Sequence, residues 1–109
     1  MKCHIIDLGL IDFSVAHQLQ KQIVTEVLKD THSRLLICEH NPIFTLGRIG
    51  HEESFLEHPD KIRQKKIPII RIDRGGEVTF HGPGQIIAYP IFNLNHSSKD
   101  LKIFLRKLE

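Results

Sequence analysis

Arg74 and His81 bracket the densest group of glycines in the chain. The segment reads IDRGGEVTFHGPGQIIAYPIF from Ile72 to Phe92, and four of the chain's seven glycines lie in it, at 75, 76, 82 and 84. Gly75-Gly76 permits positive φ and lets a ligand or a second strand come close to the backbone. Beyond it the side chains alternate, with Val78 and Phe80 on one face and Glu77, Thr79 and His81 on the other. Gly82-Pro83-Gly84 then makes a tight turn that aims His81. Arg74, the two glycine units, Thr79 and His81 could thus line one concave surface. A guanidinium offers a rigid fork of donors, and exposed backbone N–H groups suit a carbonyl or anionic oxygen. The competing reading is a glycine-rich hairpin with nothing bound, and composition alone leaves both open.

Other chemistries fit less well. Neither G-x-x-x-x-G-K-[ST] nor G-x-G-x-x-G occurs, so the familiar phosphate loops are missing. Eight histidines stand at 4, 17, 32, 40, 51, 58, 81 and 96, but none forms H-x-H or H-E-x-x-H. Cys38-Glu39-His40 has no fourth ligand nearby in sequence, so no metal is expected. His17 and His32 read as solvent-facing, and His40, before Asn41-Pro42, is open between a turn residue and a pocket residue. Cys3 and Cys38 are too few for a disulfide framework and read as buried or half-buried thiols. An apolar run around Cys38 would raise its pKa and keep it inert. No serine sits in a G-x-S-x-G elbow, so the chain has no complete catalytic set of its own.

The elements that must position these residues follow from patterning. With 109 residues, 40% apolar and 26% charged, the chain is one domain or part of one. A net charge of +2 gives no ground for nucleic acid or an acidic membrane surface, and no apolar run approaches the roughly 18 residues of a membrane span. The N-terminus has no signal-peptide pattern, so the cytoplasm is expected. Ile5–Leu8 reads as a strand. A helix capped by Asp12 or Ser14 follows, with Phe13, Ala16, Leu19, Gln20, Ile23, Val24, Val27 and Leu28 on its apolar face. Leu35–Cys38 and Ile43–Leu46 are strands separated by Asn41-Pro42. A turn or two of helix is expected on each side of Pro59. Strands are expected at Pro68–Ile72, Val78–Phe80 and Ile86–Phe92. Ser97–Asp100 reads as a capping box for a last helix with Leu101, Phe104, Leu105 and Leu108 on one face. That helix is still amphipathic at Glu109, as in a fold that continues. The order β-α-β-β-(α)-β-β-β-α is an α+β fold, or mixed α/β layers.

The wording of the glycine segment carries more than its composition. DRGGEVTFHGPGQIIAYPI, Asp73 to Ile91, closely resembles the signature of the octanoyltransferases of lipoate biosynthesis. LLICEHNPIFTLGR, Leu35 to Arg48, is similar to that family's strand–loop–strand with its E-H-x-P and T-x-G-R elements. Leu19-Gln20 stands at the family's usual place on the first helix. The resemblance runs in order over essentially the whole chain. Lipoate and biotin ligases share the fold and a glycine-rich strand pair. In the lipoate ligases an Asp is expected where this chain has Gly82, so H-G-P-G-Q favours the transferase.

The resemblance implies a biotin/lipoyl protein ligase-like catalytic fold. It implies transfer of an octanoyl group from acyl carrier protein to a lysine of lipoyl domains. Such domains occur in the 2-oxo acid dehydrogenases and the glycine-cleavage H protein. The group passes through an acyl-cysteine beside a lysine that favours the thiolate, and no metal, nucleotide or other cofactor is consumed. Carried onto this chain, the substrate-binding residues are Arg74, Gly75, Gly76, Glu77, Val78, Thr79, Phe80 and His81, with Tyr89 and His40 as further pocket residues. Val78, Phe80 or Tyr89 would supply apolar wall, and His81 would orient a reacting group rather than attack. The family's cysteine and lysine lie beyond the helix that begins near Ser97. Cys3 and Cys38 match neither, and Lys99, Lys102 and Lys107 read as a solvated helix face. Residues 1–109 thus read as the N-terminal half of a single catalytic domain with no catalytic residue of its own. The alternatives are a non-catalytic remnant that binds an acyl group or a lipoyl domain, and a lipoate or biotin ligase-like enzyme.

Overall fold

A computed structural model describes residues 2–29, 32–51, 55, 57–96 and 101–109. Among the described residues there are six strands: β1 (Cys3–Leu10), β2 (Ser33–Glu39), β3 (Ile43–Leu46), β4 (Ile69–Arg71), β5 (Val78–His81) and β6 (Ile87–Ile91). With them are α1 (Phe13–Lys29), α2 (Pro59–Gln64), a 3₁₀ turn at Leu94–His96 and α3 (Leu101–Leu108). The order matches the mixed α/β reading. The chain forms two compact units, one of residues 1–9, 14–38 and 87–109, the other of residues 10–13 and 39–86.

In the first unit the strands run β1-β2-β6, with β2 antiparallel to β6 and Leu36 opposite Tyr89. Strand β1 is longer than its apolar run, because pairing carries through His4 and Asp7. Ile23 and Val27 of α1 meet Leu36 of β2, and Ile6, Leu8, Leu19, Tyr89 and Ile91 pack around them. Each such burial is worth about 1.5–3 kcal/mol. The helix buries a narrower stripe than expected. Phe13, Ala16, Ile23 and Val27 are buried, whereas Val24 and Leu28 are 45% and 65% exposed. Those two line an apolar groove of about 370 Å³ with Phe92, Leu94 and Phe104. On α3, Phe104 meets the Phe92 ring at 5.5 Å, while Leu101, Leu105 and Leu108 are exposed. Lys102 and Lys107 are exposed too. The expected capping box at 97–100 lies outside the described residues.

Three further expectations are corrected in this unit. Cys3 is exposed rather than buried, because its strand buries little along its length. His17 and His32 are half-buried rather than in solvent. The His32 ring stacks on that of His4 at 4.8 Å.

In the second unit the strands run β4-β3-β5. Central β3 is parallel to β4 and antiparallel to β5, which places Thr45 between Ile70 and Thr79. As the middle strand it is the best covered, and Ile43, Thr45 and Leu46 are buried. Pro42 ends the preceding segment without costing the sheet a donor. Helix α2 has Pro59 in its first turn, where a missing N–H is harmless, and the His58 ring accepts the Asp60 N–H at 3.2 Å. Ile62 anchors it. Residues 52–54 and 56 are outside the described residues, and with them much of the helical turn expected before Pro59.

Candidate functional site

The candidate site is built in the second unit from two facing loops. Residues 73–77 connect β4 to β5, and residues 47–50 follow β3. Gly47 donates to the Glu77 carbonyl at 2.6 Å, and Arg48 donates to the Arg74 carbonyl at 2.9 Å. The Arg71 guanidinium holds the carbonyls of Gly47 and Gly50 at 2.8 Å each. Arg74 turns its fork inward. Nη2 donates to the carbonyl and the hydroxyl of buried Thr45 at 2.8 Å each, and Nη1 donates to the Gly75 carbonyl at 2.6 Å. The loop is therefore braced from behind by a cation whose donors meet protein oxygens.

The glycines divide into two kinds. At Gly47 a Cβ would strike the Gly76 carbonyl oxygen, with Arg74 Nη1 and the Gly75 carbonyl each 2.8 Å away. Gly76 has φ +85°, where other residues are strained. Folding thus requires both. Gly75 differs: a Cβ there would meet nothing within 4 Å, and its φ lies outside the left-handed range. Nothing in the chain itself asks for glycine at 75. Gly75, Gly76 and Glu77 are exposed, and among the described residues their N–H groups have no hydrogen-bond partner. At Gly75 and Gly76 no side chain screens these donors, and exposed backbone N–H groups of this kind suit a carbonyl or anionic oxygen.

At the far end of β5 the rings gather. His81 stacks against Phe13 at 6.0 Å and stands edge-on to His40 at 5.7 Å. His40 is fully buried, its Nδ1 donating to the Ile11 carbonyl at 2.7 Å. His81 Nδ1 donates to Gln85 Oε1 at 3.2 Å. Burial lowers the His81 pKa; the Gln85 bond partly opposes this, and His40 and Arg74 add to the lowering. A neutral ring with Nδ1 donating carries its lone pair on Nε2. Between the loop and the histidine, Phe80 stays 45% exposed while its ring meets Phe44 across the strands at 5.0 Å. Val78 and Thr79 are half-buried.

Arg74, Gly75, Gly76, Glu77, Val78, Thr79, Phe80 and His81 therefore fall in one unit, and His40 joins them through its contact with His81. Tyr89 is on β6 of the first unit, packed against the Ile23, Val27 and Leu36 cluster. Its hydroxyl is pushed up to about 12, by burial first and then by Cys38. Cys38 is buried and its thiol pKa is raised, by burial first and then by Asp7. Among the described residues no three of the His, Cys, Asp and Glu side chains could hold a metal ion. Thr45, Gly47, Glu39 and Gln85 lie within the motifs quoted above, but spacing gave none of them a place in the pocket. The paired glycines at 47 and 50 were the available signal. A separate cavity of the second unit, about 600 Å³, is lined by His51, Phe55, His58, Arg63 and Arg71 among others.

Known proteins resemble the chain along this same stretch. The sequence model of the lipoyl protein ligase A/B catalytic domain matches residues 12–109. An octanoyltransferase of Pelobacter propionicus is 46% identical over 94% of the chain, and that of Geotalea uraniireducens 41% identical over 97%. The chain covers 46% and 47% of those two proteins, so it spans about half the length of the curated relatives it matches. Among solved structures, the crystal structure of P. falciparum LipL1 in complex with lipoate matches with a TM-score of 0.65 and 13% identity. That match covers 79% of this chain and 29% of LipL1. At that identity the likeness is one of fold.

Proposed function

Because the chain belongs to the lipoyl protein ligase A/B catalytic domain family, we propose that residues 1–109 are the N-terminal half of an octanoyltransferase catalytic domain. The half contributes the acyl-binding loop. An octanoyl thioester on acyl carrier protein lays its carbonyl against the N–H groups of Gly75, Gly76 and Glu77, and its chain along β5. Arg74 keeps the loop in shape through Thr45 rather than meeting the substrate with its free fork. His81 and His40 frame the far end.

The covalent steps need groups supplied by the part of the domain that the longer relatives carry. A cysteine thiolate there attacks the thioester carbonyl, and the carrier thiol departs with a proton. The lysine amine of a lipoyl domain then attacks the acyl-cysteine, forms the amide and returns the thiol. Each attack puts negative charge on the carbonyl oxygen, and preset N–H donors stabilise that charge without reorganising. Both steps exchange acyl bonds, so neither nucleotide nor metal is consumed, and the cytoplasm suits both protein partners.

The observation that carries this reading is Gly75. It is a glycine the fold does not need, on an exposed ledge of N–H groups, and close approach by a substrate carbonyl gives it a reason. The reading is tested by joining the chain to the C-terminal remainder of the Pelobacter propionicus octanoyltransferase. Octanoyl transfer from acyl carrier protein to a lipoyl domain is expected without ATP. Transfer from free octanoate that requires ATP would replace this reading with a ligase. The 109-residue chain alone should give no hydroxylamine-labile octanoyl adduct by mass spectrometry, and an adduct on Cys38 would overturn the assignment of the nucleophile to the missing half.

A further inference from the structure

Three consecutive residues at the end of β2 grip the short segment that leads into α1. The Glu39 carbonyl accepts the Ile11 N–H at 2.9 Å, His40 Nδ1 donates to the Ile11 carbonyl at 2.7 Å, and the Asn41 amide donates to the Asp12 carboxylate. Glu39 also reaches further. Its Oε1 accepts the Gly84 N–H at 2.5 Å, across 45 positions of sequence. Gly84 has φ +91° and sits in the turn that ends β5. Apart from Glu39, that turn is held by the Gln85 N–H to the Gly82 carbonyl at 3.1 Å.

The position matters for His81. A turn with two glycines keeps much backbone freedom, and freedom there would let the preceding side chain wander. A carboxylate on a backbone N–H is a charge-assisted bond and among the stronger ones available. The same residue pair, Glu39-His40, thus fixes the turn on one side and the Phe13–His40 rings on the other, and His81 lies where they meet.

We propose that Glu39 is a positioning residue: its carboxylate locks the Gly82–Gly84 turn and so holds the His81 ring between Phe13 and His40, with Gln85 on its Nδ1. The inference rests on the acyl-transfer reading for its purpose, since it is there that His81 needs a fixed orientation. The groups facing the His81 ring are Phe13, His40, Gln85 and, by its charge, Arg74. Glu39 acts on it through the backbone.

The test uses NMR on the whole chain as parent, Glu39→Ala and Glu39→Gln. In Glu39→Ala the Gly84 amide should exchange about 10- to 100-fold faster, the range expected for loss of a hydrogen bond to a charged group. The His81 imidazole should titrate nearer the ordinary value of about 6.5. Glu39→Gln keeps an acceptor oxygen and should restore most of both, while α1 amides stay protected in all three. Unchanged Gly84 exchange and His81 titration in Glu39→Ala would overturn the proposal. So would changes that occur only as α1 loses protection in step, since they would report loss of fold. Octanoyl pantetheine added to the same samples separates the two claims. Shifts of the Gly75–Glu77 amides in the parent but weaker ones in Glu39→Ala support the positioning role, and equal shifts in both contradict it. No shifts in the parent would sink the acyl-binding reading, and the clamp would still be decided by exchange and titration.

Discussion

Burial holds the His81 imidazole below its ordinary titration range, with His40 and Arg74 adding to the effect and the Gln85 bond opposing it. The sign of the consequence follows from proton counts. When the native state favours the neutral ring, the unfolded chain binds more protons as the pH drops below about 6.5, and stability falls with it. Denaturant melts should therefore show stability declining from neutral pH toward pH 5, and His81→Gln should flatten that dependence. The two thiols make a second residue-scale prediction. Cys3 is exposed and Cys38 is 2% exposed with a raised pKa, so an aromatic disulfide reagent should label one thiol quickly and the second only on unfolding. Equal rates would contradict the structure. The low reactivity of Cys38 could be read from its apolar neighbours. The exposure of Cys3 could not, because an apolar neighbourhood in sequence does not say whether a strand face will be covered.

At the scale of elements, the two-loop ledge separates glycines that fold the chain from Gly75, which the fold does not require. Gly47→Ala would drive a methyl into the Gly76 carbonyl and should cost about 1–3 kcal/mol or more in urea melts. Gly75→Ala meets open space and should stay within about 0.5 kcal/mol of the parent, yet weaken binding of an octanoyl thioester. Full retention of binding in Gly75→Ala would remove the main argument for the ledge as a site. Much of the local structure was legible beforehand. Strand β3 occupies Ile43–Leu46 as expected, because Pro42 and Gly47 punctuate it on both sides. The stripe on α1 was over-read at Val24 and Leu28, since a 3.6-residue period locates an apolar face without saying how much of it is covered. Arg74 reads as a donor from sequence, but its partner Thr45 lies 29 positions away on β3, which pairing with β4 and β5 brings alongside.

At the scale of the whole molecule, large apolar side chains remain outside. Among the described residues, Val24 and Leu28 on α1 and Leu101, Leu105 and Leu108 on α3 are all at least 45% exposed. Contiguous apolar surface of this kind associates in water. Sedimentation velocity should show the chain self-associating as its concentration rises, and a sharp, concentration-independent melt of a monomer would contradict that. The relatives, about twice as long, have more chain with which to cover such surface. What spacing left undecided was whether the glycine segment is a bare hairpin or an acyl site. The braced, exposed ledge now gives that choice a physical form. The most direct measurement is a titration of the chain with octanoyl pantetheine, followed by amide NMR. The account predicts saturable shifts at Gly75, Gly76 and Glu77 and smaller ones at His81. Saturable shifts confined to the cavity around His51, Phe55 and Arg63, or none at the ledge, would contradict it.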